Sequence, residues 1–334
     1  MSNAMNKILI ASIVKKAIKE ISYSPERGIR NIVDLATQFT KGRFQKEFFC
    51  TAQKMLENPD SCYYKLIPDV INNVEHERLM MLGMNVGFNS CTAGAKTIRD
   101  IEKRDGHNIP WCITLEINPD VIKRNKHRYY YLISQGSNLG IYTYILCCEQ
   151  ITSDILELCK KYTDCTFIII CKPSEITQEF VTSTQSLKNI MPVLEYNETD
   201  LENACEMLRK NKYLYSVYYR YNDTDLVDII NDTVIKKTER LHPLFTVFIA
   251  DNTCSQDSKY KTYDHICKTR NNQAFTTVAW DYHFDTRFVD SIISDDFCTV
   301  IFDSKGNILL DNIQNKYNFF DTELKSILLS MFSK

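Results

Sequence analysis

Apolar residues recur at helical spacing through the first hundred positions and in strand-like runs after them. Ile10, Ile13, Val14, Ala17, Ile18 and Ile21 fall on one helical stripe. Ser24-Pro25-Glu26 reads as an N-cap, a proline at the first helical position and an acidic first turn. Ile29, Ile32, Val33, Ala36 and Phe39 carry that helix to a stop at Gly42. Phe44, Phe48, Phe49, Ala52 and Met55 mark the next helix. Further helices are expected near Ser61, from Glu75 to Met81, and after Cys91. The stretch "GMNVGFNS" at 83–90 reads as a turn-rich loop.

From Ile109 the texture changes. Strands are expected at 109–117, 141–147, 165–171, 190–196, 214–220 and 244–250, with helices at Ser153–Tyr162, Glu198–Lys210 and Asp225–Thr238 between some of them. This alternation is the signature of consecutive βα units with right-handed crossovers. A seventh short strand, "FTTVAW" at 275–280, fits beside the sixth. "CTVIF" and "NILL" then read as a hairpin turned by Asp303-Ser304-Lys305-Gly306, and a closing helix starts near Asp321. A partial barrel and an open doubly wound sheet both accommodate such units. No glycine-rich phosphate loop follows the first strand, which counts against a dinucleotide fold.

Composition narrows the class. The formal charge of −2 provides no global field toward nucleic acid or acidic lipid. No apolar run reaches membrane-spanning length, and the scattered cysteine usage goes with an expected cytoplasmic protein. The thirteen cysteines are scattered, often inside apolar runs, and no C-x-x-C pair occurs. That is reduced-thiol usage, without a zinc ribbon or a disulfide framework. Met1-Ser2-Asn3-Ala4 reads as an expression-tag remnant.

Ligand sites of parallel βα folds gather at the carboxyl ends of the strands. The candidates there are Glu116, Cys148, Glu149, Cys171, Glu195, Arg220, Asp251, Asp281 and His283. Adjacent strand residues face opposite ways, so at most one of Cys147 and Cys148 points inward. Each of these residues has a plainer reading. The cysteines serve as small core hydrophobes, Glu149 as a capping or paired carboxylate, and His283 as a surface histidine. Lys123, Arg124, Lys126, His127 and Arg128 read as a solvated loop and helix start, and the tyrosines at 129–131 as packing residues.

The segments "SPERGIRNIVDL", "GRFQKEFFCTAQKML" and "NIPWCITLEINPD" resemble the opening of bacterial radical S-adenosylmethionine (SAM) proteins with a helical extension. "ISQGSNLGIYTYILCCEQ" is similar to the next unit of that superfamily, and "FDSKGNILLDNI" to its C-terminal region. The resemblance implies an α/β fold, a partial (β/α)6 TIM-like barrel. An α-helical N-terminal domain (5–108) precedes the barrel (109–280), and a small hairpin-and-helix module (281–334) follows it. It also implies a 4Fe–4S cluster held by a C-x-x-x-C-x-x-C loop after the first strand. Here that loop is "NPDVIKRNKHRYYY", without cysteine, the family's "GGE" is Cys147-Cys148-Glu149, and an auxiliary-cluster position is Asp311. The expectation is a catalytically inactive relative with a binding or regulatory role, no cluster and no metal. Residual SAM binding is left open, as is a protein partner such as an intact radical SAM relative. No nucleic-acid or membrane partner is expected. Two alternatives stand: a repurposed enzyme using the strand-end pocket on a small molecule, and a flavodoxin-like regulatory module.

Overall fold

In the computed structural model, which describes residues 3–39, 51, 53–196, 199–294, 296–309 and 317–333, the expected alternation builds one parallel sheet. Its strands are β1 (Cys112–Ile117), β2 (Thr143–Cys148), β3 (Thr166–Cys171), β4 (Ile190–Glu195), β5 (Ser216–Tyr221), β6 (Phe245–Ala250), β7 (Val278–Asp281) and β8 (Val300–Phe302). The order is β7-β6-β5-β4-β3-β2-β1-β8, with every ladder parallel. This is a curled partial barrel of the radical SAM type, one ladder short of closing between β7 and β8. The sequential order from β1 to β7 removes the flavodoxin-like alternative, which needs a switch point inside the sheet. The seven expected strands form, and the eighth is the first arm of the expected hairpin. "CTVIF" forms its short hairpin with Ile308, but its first arm is β8 and pairs with β1 through Ile113↔Val300 and Leu115↔Phe302.

The helices are α1 (Asn3–Tyr23), α2 (Pro25–Phe39), α3 (Tyr63–Asn73), α4 (His76–Leu82), α5 (Ala95–Asp105), α6 (Pro119–Leu139), α7 (Ser153–Lys161), α8 (Gln178–Thr184), α9 (Leu201–Lys210), α10 (Leu226–Ile230), α11 (Thr233–Thr238), α12 (Gln256–Asn272), α13 (Phe284–Ile293) and α14 (Leu324–Phe332). The expected helix over 225–238 is broken in two, with Asp232 between its halves at φ +62°. Gly42, Phe44, Phe48, Phe49, Ala52 and Asp311 lie outside the described residues.

"GMNVGFNS" is not a loop. Residues Gly83–Gly94 form a π-helix continuous with α4 and α5. Its polar side chains are satisfied from a distance. Asn85 Nδ2 donates to Thr163 O (2.8 Å) and Cys165 O (3.0 Å), and Asn89 Nδ2 donates to Asp164 O (2.8 Å). Tertiary hydrogen bonds thus override a composition that locally favours turns. Gly94 meets Gly140, which closes α6 at φ +96°. A Cβ on Gly94 would lie 2.3 Å from Gly140 O, so the close packing of these two turns requires glycine.

The two faces of the sheet bury different partners. Ile113, Leu115, Leu146, Phe167, Ile169 and Leu194 pack outward against helix residues such as Leu132, Ile133, Ile155 and Leu158. Cys112, Ile145, Ile170, Met191, Val193 and Tyr218 face the concave interior, where Val70, Val74, Leu79 and Leu82 of the front helices join them. Those helices seal the amino-terminal mouth of the barrel. Arg78, 2% exposed, donates to Leu187 O (2.5 Å) and Thr184 O (3.3 Å) and stacks 3.7 Å above the Tyr213 ring. Arg209 pairs with Asp69 (2.6 Å) and Lys188 with Glu75 (2.5 Å). The carboxyl-terminal rim is the mouth these helices leave uncovered. Among the described residues no helix is long and apolar enough to cross a membrane.

Candidate functional site at the barrel rim

Strand parity decides which candidates share the rim. Inward positions alternate along each strand, so Glu116, Cys147, Glu195 and Arg220 continue the concave face at its upper end. Arg220 Nε lies 3.9 Å from Glu195 Oε1, and its guanidinium carbon is 5.9 Å from the centre of the Tyr218 ring. The opposite wall carries Glu116, with Thr114 one inward position below. Partial burial and the carboxylates of Asp303 and Glu149 raise the Glu116 carboxyl above its usual range. Between the walls, burial pushes the Cys147 thiol up to about 12; Glu116 adds to the rise and Arg220 opposes it. A thiol in that state is protonated at neutral pH and is a weak nucleophile. Tyr282, just beyond β7, reaches across the interior. Its hydroxyl and Thr114 Oγ1 are 2.9 Å apart.

The other candidates go elsewhere. Cys148 and Cys171 are on the convex side, both buried among the helix-facing apolar residues, and burial raises both thiols. Between Cys147 and Cys148 the inward residue is Cys147. Glu149 is exposed and accepts from Asn118 Nδ2 (3.0 Å). Asp251 closes a local turn, accepting from Thr253 N (2.7 Å) and Thr253 Oγ1 (2.6 Å), which holds its carboxyl low. Asp281 is buried and accepts from the amides of His283 (2.9 Å) and Phe284 (2.7 Å) at the start of α13. Burial outweighs these bonds and lifts its carboxyl to about 6. His283 is exposed, edge-on to Phe284 and 3.4 Å from Arg287 Nη1. Tyr129 packs edge-on against Phe319 and Phe320 on the convex side, Tyr130 packs tilted against Tyr162, and Tyr131 is exposed. Tyr282 and Thr114 were missed as site residues. Strand parity could have found Thr114, two residues before Glu116.

The β1 exit is short. Asn118 caps α6 at once, its Oδ1 accepting from Asp120 N (3.1 Å) and Val121 N (3.3 Å), with Pro119 next. No cysteine occurs between Cys112 and Cys147. Among the described residues no three His, Cys, Asp or Glu side chains are grouped to hold a metal ion.

A curled parallel sheet with sequential strands, helices outside and polar groups at its carboxyl rim defines a radical-SAM-like fold. Solved structures carry the same geometry. SuiB of Streptococcus suis bound to S-adenosylmethionine is similar over 70% of this chain and 66% of its own, at 11% identity and a TM-score of 0.52. SuiB bound to precursor peptide SuiA matches over 70% and 67%, again at 11% identity and 0.52. The chain thus spans about two thirds of SuiB's length, and the likeness is one of fold. No family model and no curated protein matches the chain.

Proposed function

We propose that this protein is a radical-SAM-like binding protein that has lost cluster chemistry and keeps its rim as a ligand site. One observation carries the reading: β1 passes directly into a capped helix with no cysteine, where the resemblance calls for three thiolates. A 4Fe–4S cluster of this type takes those three thiolates from protein, and reductive cleavage of a sulfonium draws its electron from the cluster. Cys147 supplies one thiol at the rim, and Cys112 begins β1 at the other end of the interior. The donor set does not fit the cluster, and no reaction step is assigned to one.

The rim retains what binding needs. Arg220 suits a carboxylate, Glu116 suits an ammonium group, and Tyr218 adds an aromatic wall. SAM presents both charges on its amino-acid end, and SuiB is bound to it in one structure. A peptide terminus offers the same groups, and SuiB is also bound to a precursor peptide. The role is binding or regulation, with a peptide or an intact radical SAM relative as partner. A second reading, a repurposed enzyme acting on a small molecule, is favoured by the same convergence of Glu116, Cys147 and Arg220. Thermal melting with increasing SAM or S-adenosylhomocysteine tests retained binding. Ligand at 100 times its Kd adds ~2.7 kcal/mol, a rise of several degrees. Arg220→Ala should abolish that rise; flat melting curves for both ligands on the parent protein would contradict a retained pocket.

A further inference from the structure

The apolar interior has a floor under the rim. Front-helix side chains fill it from the amino-terminal side, and Ile145, Ile170 and Val193 line its wall. Above them Tyr282 crosses from the end of β7 to Thr114 of β1, two strands that are not neighbours in the sheet. Its amide continues the ladder by donating to Phe248 O (3.0 Å), which fixes where the side chain begins. Its hydroxyl ends on Thr114, which is 5% exposed. Both ends of the side chain are therefore held. Tyr282 is itself only partly buried, and it shares the concave cluster with the rim thiol Cys147, also partly buried. The ring thus lies at the boundary between the polar rim and the packed interior.

The barrel needs such a part here, because β7 and β8 do not pair. Lower on the same seam the gap is bridged by α13: Trp111 Nε1 donates to Thr286 O (3.1 Å) and the Trp111 amide to Asp290 Oδ1 (3.2 Å). Near the rim the bridge is the tyrosine.

We propose that Tyr282 is a specificity-determining strut: by spanning the interior to Thr114 it confines ligands to the level of Glu116 and Arg220, covers the inner side of the Cys147 thiol, and separates that level from the packed apolar interior beneath. The proposal deepens the binding reading, since a floor matters only where the rim takes a ligand. Its test needs no knowledge of that ligand. The rate of N-ethylmaleimide addition to Cys147 is followed by peptide mass mapping, with p-cresol as a stand-in for the missing side chain. Michael addition of the thiol to the maleimide alkene forms one C–S bond, and the thiol proton ends on the adjacent carbon.

In Tyr282→Ala the labelling of Cys147 should accelerate at least tenfold, and p-cresol should slow it again and raise the melting temperature. Thr114→Val keeps the ring and removes one end of the bond, so labelling should accelerate severalfold. Tyr282→Leu serves if the alanine variant does not fold. Labelling in the Tyr282 variants within twofold of the parent rate, or no effect of p-cresol on Tyr282→Ala, overturns the proposal. An unchanged rate in Thr114→Val overturns the role of the hydrogen bond. Loss of SAM or S-adenosylhomocysteine binding by the parent protein is read separately by melting, so failure of the binding reading and failure of the strut are distinct results.

Discussion

Asp290 should make the protein more stable in mild acid than at pH 8. This carboxylate is 1% exposed on α13 and accepts from the amides of Trp111 (3.2 Å) and Cys298. Those bonds tie α13 to the segments leading into β1 and β8. They favour the charged form, but burial opposes it more strongly, and Glu102 adds to the rise. Glu102 is itself buried, accepting from Ile109 N (2.9 Å) and Ser294 Oγ (2.6 Å). Arg287, one turn back on α13, is the cation that acts on the group. The carboxyl is raised from its usual 3.8 to about 7. A raised folded-state value means that stability is fully present below pH 3.8 and is lost as pH climbs through 7. At ~1.36 kcal/mol per pH unit, that interval amounts to about 4 kcal/mol. Asp281, lifted to about 6 chiefly by burial, acts in the same direction. Asp223 and Asp251 are held low by hydrogen bonds and act oppositely, below the usual carboxylate range. Urea denaturation followed by circular dichroism at pH 5, 6, 7 and 8 should show stability falling with pH. Asp290→Asn removes the titrating charge, so most of the slope should vanish; its amide nitrogen cannot accept from the second backbone N–H, so the whole curve should also drop by about 1–3 kcal/mol. A parent curve that is flat or rises from pH 5 to 8, or an asparagine variant with an unchanged slope, refutes this reasoning.

Arg78→Ala removes a buried guanidinium bonded to three carbonyls, paired with Glu75 and stacked on Tyr213, which should cost about 3 kcal/mol in chemical denaturation. Arg78→Lys should recover less than half, because an ammonium cannot reproduce the planar stack; full recovery would contradict that geometry. The free edge of β7 is capped by side chains: Arg270 donates to Ala279 O (3.2 Å), Asp285 accepts from Asp281 N (2.8 Å), and the two side chains form an ion pair (2.8 Å). Arg270→Ala should uncover that edge, lowering the melting temperature and increasing the concentration-dependent growth of larger species in light scattering. Scattering and melting identical to the parent would remove the edge-cap role.

The barrel was legible where a strand is a continuous apolar run. "TFIII" lies within the expected 165–171 and forms β3, and "IMPVLE" forms β4. β8 was legible as "CTVIF", but its parallel ladder to β1 joins residues more than 180 positions apart, so no local pattern announces that partner. The π-helix was hidden for a related reason: the carbonyls that satisfy Asn85 and Asn89 come from 163–165. Alternation showed that one of Cys147 and Cys148 faces inward, but which one depends on the sheet register. The same register places Glu116, Glu195 and Arg220 at the rim. Asp251 and Asp281 sit at strand ends as expected, but their oxygens face nearby amides. A capping aspartate and a ligand-binding one look alike in sequence.

The most direct test of the central claim is anaerobic reconstitution of the full chain with ferrous iron and sulfide, followed by iron analysis and visible absorption. The account predicts iron well below one cluster per chain and no iron–sulfur charge-transfer band. A stoichiometric 4Fe–4S cluster with that band, lost when Cys147 is replaced by serine, would contradict it.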